Sequence, residues 1–156
     1  MAVSTTQSIW RSGGGDQTRA AYCGSGVMAA TFYIADASAS GNVVASSTNS
    51  AAVLLPAGAV ITSIIINDAT SAGTIDLGFT PVGGSASPEA LVNNAGGSVA
   101  TIVPGGSGAG TSLGTVMSAT ANVNITSRDN STTATGTVGG IILYYVTDPY
   151  AGQQNV

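Results

Sequence analysis

The chain has 156 residues, enough for one domain with a real core and too few for two. Its charged fraction is 6%, against roughly 25% for an ordinary soluble domain, and a surface so poor in charge suits a subunit hidden against copies of itself or a larger shell. The formal charge of −4 sets seven acids against Arg11, Arg19 and Arg128 alone, so there is no basic face for a phosphate backbone and nucleic-acid binding is excluded.

Residues 1–26 have little periodicity, with a triple glycine at Gly13–Gly15 and two of the three arginines. Ile9, Trp10 and Arg11 interrupt the polar background. Trp is the residue most enriched as an interface anchor. The segment therefore reads as an extended arm that lays Trp10 on a neighbouring subunit, with Ile9, Arg11 and Arg19 as further partner contacts; the plain alternative is a polar tail with a lone Trp. A single sandwich domain is expected over 27–148, followed by a loose tail at 149–156.

From Val27 to Ala35 the chain reads as a strand, with Met28, Ala30, Phe32 and Ile34 on one face and Val27, Thr31 and Tyr33 on the other. A short strand is expected over Asn42–Ala45, after a Gly41-Asn42 turn, and a loop over Ser46–Ser50. The organising stretch runs from Val53 to Phe79. Pro56, Ala57 and Gly58 form a turn into Ala59–Asn67, where Val60, Ile61, Ile64, Ile65 and Ile66 are too densely β-branched for anything but a core strand. After a loop over Asn67–Gly73, Ile75, Leu77 and Phe79 alternate with Thr74, Asp76 and Gly78, the period of a strand with one buried face. The pair predicts a β-hairpin that supplies two central strands.

Pro81–Ser87 turns the chain. Ser87-Pro88-Glu89 combines a side-chain cap, a proline at the first helical position and a carboxylate near the positive end of the dipole, and so predicts a helical turn over Pro88–Asn94 that Gly96 and Gly97 stop. Ser98–Val103 reads as a strand and Pro104–Gly110 as an exposed flexible loop. Val116–Thr120 and Val123–Ser127 read as strand pieces, Arg128–Ser131 as a turn, and Thr132–Tyr145 as the closing strand with a bulge at Gly139-Gly140. Both faces of Ile141–Val146 are apolar, which predicts cover on each side. Eight or nine short strands separated by turns sum to an all-β fold, an antiparallel β-sandwich that admits jelly-roll connectivity, with one short helical turn and an extended N-terminal arm.

The available chemistry argues against an enzyme. With no histidine, Ser-His-Asp and Cys-His arrangements cannot be built, and with no lysine Schiff-base chemistry is closed as well. Gly105–Ser112, GGSGAGTS, has the glycine spacing of a phosphate-binding loop but not its lysine, and reads as a plain loop. Cys23, the single cysteine, cannot form an intramolecular disulfide or a thiolate metal site, and reads as an inert packed thiol. Asp68, Thr70, Thr74 and Asp76 have the odd spacing of a calcium loop, but Ala72 replaces a ligand and Phe79 stands where the closing Glu belongs. No catalytic residue, metal ligand, cofactor or small-molecule substrate is assigned. MAVSTTQSIW has neither the basic nor the apolar region of a signal peptide, and the longest apolar run, Ile141–Val146, is far below the ~20 residues of a membrane helix. A soluble protein made in a cytoplasm, with no membrane partner, is expected.

LLPAGAVITSIIINDATSAGTIDLGF (Leu54–Phe79), Ala90-Leu91-Val92 and the closing TGTVGGIILYYV together resemble the small structural proteins of tailed bacteriophages, over about Leu54–Tyr145. The resemblance implies a capsid decoration (cement) protein. Such a protein is a β-sandwich that forms a homotrimer on the outer surface of the virion head, after synthesis in the host cytoplasm, and clamps neighbouring major capsid protein subunits. It carries over no functional residues, since such proteins work by surface shape. The alternatives are a head-fibre or tail-knob module that binds a host surface glycan, and a ligand-binding sandwich with an apolar pocket.

Overall fold

The computed structural model describes residues 27–37, 40–70, 73–96, 98–129 and 136–147. The sequence-predicted arm with Ile9, Trp10, Arg11 and Arg19, the thiol of Cys23, and the tail from 149 onward lie outside the described residues. Eleven strands are formed and, among the described residues, no helix: β1 (Met28–Ile34), β2 (Gly41–Asn42), β3 (Val44–Ser46), β4 (Asn49–Ala52), β5 (Leu54–Leu55), β6 (Ala59–Ala69), β7 (Thr74–Pro81), β8 (Ser87–Gly96), β9 (Ala100–Ile102), β10 (Val123–Asp129) and β11 (Val138–Val146). They make two antiparallel sheets. One is six-stranded, in the order β4-β3-β1-β11-β6-β9; the other is five-stranded, β2-β10-β7-β8, with β5 also paired to β10. The described residues are all-β, two antiparallel sheets consistent with a β-sandwich.

The β-branched run at Val60–Ile66 forms β6 as expected, but β6 and β7 are not a hairpin. β6 pairs with β11 and β9, whereas β7 pairs with β10 and β8, so the two strands belong to different sheets. Ile61, Ile64 and Ile66 of β6 and Ile75, Leu77 and Phe79 of β7 are all buried in one core cluster. A pattern of alternating apolar residues is satisfied equally by lateral pairing and by facing layers, and here the layers win.

The ribbon made by β2–β3 and β4–β5 bends around one edge of the sandwich. Its bases, β2 and β5, lie on β10; its tip, β3–β4, adds to β1. The bend is made at Val43 and Val53, both buried. There Val43 N–H donates to Ile125 O, Ile125 N–H to Val53 O and Val53 N–H to Val43 O, each at 3.0 Å. The expected loop at Ser46–Ser50 is reduced to a tight turn at Ser47-Thr48.

Ser87–Gly96 is strand β8, not a turn of helix. Ala90, Leu91 and Val92 are all buried, and a helix there would bring only part of that run into the core. The capping signal of Ser87-Pro88-Glu89 is local and is overridden by sheet pairing. Pro88 is accommodated because the register jumps from Phe79↔Ser87 to Leu77↔Val92, a bulge in which a missing N–H costs no ladder bond.

The expected loop at Pro104–Gly110 is exposed as far as Ser107, but from Gly108 it is tied to β8. Asn93 N–H donates to Gly108 O and Gly110 N–H to Leu91 O, both at 2.9 Å, and Ser112 N–H donates to Ala90 O at 2.7 Å, so residues 108–112 run along the outer edge of β8. Further on, Gly114 N–H donates to Ile61 O and Met117 N–H to Ala59 O, which covers the β6 edge beyond β9. The strand expected at Val116–Thr120 is reduced to one bridge, Val60↔Val116. In β11 the predicted irregularity at Gly139-Gly140 is present as a register shift against β6.

Candidate interaction surface

β11 lies at the centre of the six-stranded sheet, between β1 and β6. Its inward residue Ile142 is fully buried. Its outward residues are Ile141, Leu143 and Tyr145. Cross-strand partners share a face, and the register Thr31↔Ile141↔Ile65↔Thr101, Leu143↔Ser63 and Val44↔Tyr33↔Gly139↔Asp68 adds Ile65, Tyr33 and Val44 to that outer surface, bordered by Thr31, Ser63, Thr101 and Asp68. All six apolar side chains are half-buried. Val99 and Val103, which flank β9, are 70% and 45% exposed. The six strands of this sheet carry a single charged residue among them, Asp68, at the far end of β6.

The expectation that both faces of Ile141–Val146 are covered therefore holds for the inner face. Among the described residues no layer covers the outer one. Met28 pairs with Tyr144, so β1 begins where β11 ends, and the segments before Val27 and after Thr147 both leave from this end of the sheet. Val27 is 61% exposed at the exit.

The outer surface of the other sheet is mixed, with Asn124 and Thr80 beside Leu54, which is 50% exposed. Glu89, Asn93, Thr111, Ser112 and Arg128 line an open groove of about 410 Å³ over the β8 bulge, and Arg128 Nη1 donates to Glu89 Oε1 at 2.7 Å. The ion pair is not legible in the sequence, whose local signals put Glu89 on a helix and Arg128 in a turn. A smaller hollow of about 210 Å³ lies at the bend, beside Tyr33, Asp36 and Asn42.

Asp76 is the one buried charged residue among those described. Its Oδ1 accepts the N–H of Asn94 at 2.7 Å, and its Oδ2 has no hydrogen-bond partner. Asn94 is left-handed, with φ of 58°, and Asp76 holds that kink. Of the residues with calcium-like spacing, Asp68 is next to last in β6 of one sheet and Asp76 lies within β7 of the other. Among the described residues no three His, Cys, Asp or Glu come together in a way that would hold a metal ion, and no helix is long and apolar enough to cross a membrane. No protein-family model, curated protein or solved structure matches the chain.

Proposed function

We propose that the chain is a virion structural protein, a capsid decoration protein that assembles as a homotrimer on the outer surface of a phage head and bridges neighbouring major capsid protein subunits. The observation that carries this reading is the outer face of the six-stranded sheet. Tyr33, Val44, Ile65, Ile141, Leu143 and Tyr145 form an apolar strip on it, bordered by Thr31, Ser63 and Thr101, with one charged residue in the whole sheet, and an uncharged strip of this kind suits a surface that an assembly covers.

The strand order supports a jelly roll as the finer description of the sandwich. With β2 and β5 counted as one strand and the β3–β4 tip as an insertion, the sheets become β1-β11-β6-β9 and (β2/β5)-β10-β7-β8, with the chain passing between them as in two Greek keys. That architecture serves viral shells and lectins alike, so its bearing on function is fold-level analogy. A shell filled with DNA pushes outward, and a protein that binds only the expanded shell stabilises it by differential affinity.

Purified chain mixed with expanded and unexpanded heads tests the reading. Saturable binding to expanded heads, at hundreds of copies per particle, is the expected result; absence of binding to both overturns it. Deleting Met1–Gly15 is expected to weaken attachment and leave the circular dichroism of the sandwich unchanged.

The polar groove supports a second reading, a head-fibre or tail-knob module for a host glycan. The guanidinium, carboxylate, amide and hydroxyls of Arg128, Glu89, Asn93, Thr111 and Ser112 offer alternating donors and acceptors. A few dozen copies per virion or fewer, with chemical-shift changes at these residues on adding neutral sugars, would favour it.

A further inference from the structure

We infer that the uncovered outer face of the six-stranded sheet receives the Ile9–Trp10 segment of a neighbouring copy of this chain. The inference rests on the self-assembly reading above and names the contact that would make it.

Three observations support it. The surface has the chemistry of an aromatic anchor site: Ile141 and Leu143 lie at its centre, Tyr33 and Tyr145 lie along the same strands, and Asp68 is its one charge, at the far end. Burying a Trp there would remove a large apolar area from water without desolvating an ion. The chain outside the described residues is the right length and starts in the right place. Sixteen residues, Arg11–Gly26, separate Trp10 from Val27; extended, they reach about 50 Å, while the six strands of the sheet together span about 25 Å. Because Val27 leaves from the end of β1 beside the end of β11, an arm of that reach passes beyond its own sheet to the equivalent face of a subunit packed alongside.

Composition favours a neighbour over the chain's own body. An arm folded back in cis would cover the face and leave a free monomer whose surface is still almost without charge. Exchanged between subunits, the same contact covers the face and joins the copies, so the poverty of charge and the apolar face have one explanation. Anchoring at both ends of each arm would also raise the effective concentration of every further contact in the ring.

Trp10 is the only Trp in the chain, so its fluorescence reads the arm directly in the full-length protein. The expected result is a blue-shifted emission in an oligomer that moves to the solvent-exposed position when the sample is diluted to monomer. The same red shift is expected in Leu143→Ser and in Ile141→Ser, two outward substitutions whose folding is checked by circular dichroism. Trp10→Ala should lower the mass measured by light scattering. A solvent-exposed emission at every concentration overturns the proposal, as does a blue-shifted emission in a concentration-independent monomer, which means docking in cis. An oligomer whose blue shift ignores both substitutions overturns the assignment of the face. None of these outcomes depends on heads, so a failure here is separable from a failure of the decoration reading, which head binding tests.

Discussion

At the scale of single residues, two positions carry constraints that their neighbours do not share. A Cβ on Gly140 would lie 2.1 Å from Ile65 O and 2.7 Å from the Phe32 ring. The first is backbone in the adjacent strand and the second is a fully packed core side chain, so neither can yield cheaply. Gly140→Ala is expected to cost about 3 kcal/mol, at the upper end for overpacking, read as a lower midpoint in urea with an unchanged slope. Asp76 presents the opposite problem, a buried carboxyl with one oxygen bonded and the other alone. Asp76→Ala removes the anchor of the Asn94 kink and should destabilise by about 1–3 kcal/mol, the usual cost of leaving a buried donor unpaired. Asp76→Asn keeps an oxygen for the Asn94 N–H and is expected to lose less stability than Asp76→Ala. An Asn variant as damaged as the Ala variant would show that the bond to Asn94 is not what Asp76 contributes.

Among the elements, the edge cover at residues 108–112 matters most, because it closes the exposed edge of β8. A Cβ at Gly110 would fall 2.3 Å from the Ala90 carbonyl carbon and 2.4 Å from the oxygens of Ala90 and Glu89, so the cover lies directly on the strand. Gly110→Ala should lift it, expose the amides of Gly110 and Ser112 to fast hydrogen exchange, and leave a bare edge prone to aggregation. Unchanged protection of those two amides would mean that the cover tolerates displacement. The sequence showed this region as a loop and no more, since its hydrogen bonds go to a strand some twenty residues away and no local pattern records them. Strands were legible wherever periodicity and burial agree, as in β1, β6, β7, β10 and β11. Sheet membership was not legible, because Ile75, Leu77 and Phe79 alternate identically whether β7 lies beside β6 or across from it. The helix expected at Pro88–Asn94 failed for a related reason: caps are local signals, whereas the burial of Ala90, Leu91 and Val92 is decided by what packs on them. Of the interaction surface, only its central strip was visible in advance, as the run Ile141–Val146 with both faces apolar; Tyr33, Val44 and Ile65 join it through register alone.

For the whole molecule the governing quantity is charge, or its scarcity. Six strands with Asp68 as their only charged residue present a face whose association would draw on apolar burial and shape rather than on ion pairs. Screening then has little to act on. The mass of the assembled species is expected to stay constant from about 0.05 to about 1 M salt, a range over which the Debye length shrinks several-fold and surface electrostatics largely vanish; high concentrations of sulfate should strengthen it. Cooling should weaken it, since apolar association loses its driving force at low temperature. Leu143→Asp places a carboxylate at the centre of the face, where the proposed assembly would have to bury it without a partner, and should prevent that assembly while leaving the monomer folded, because the side chain points away from the core. Light scattering and circular dichroism on the same samples separate the two effects. An assembly that falls apart with added salt would show that its contacts are made elsewhere, through Arg11, Arg19 or the Glu89–Arg128 side of the molecule, and would move the interface from the six-stranded sheet to the outer face of the other one.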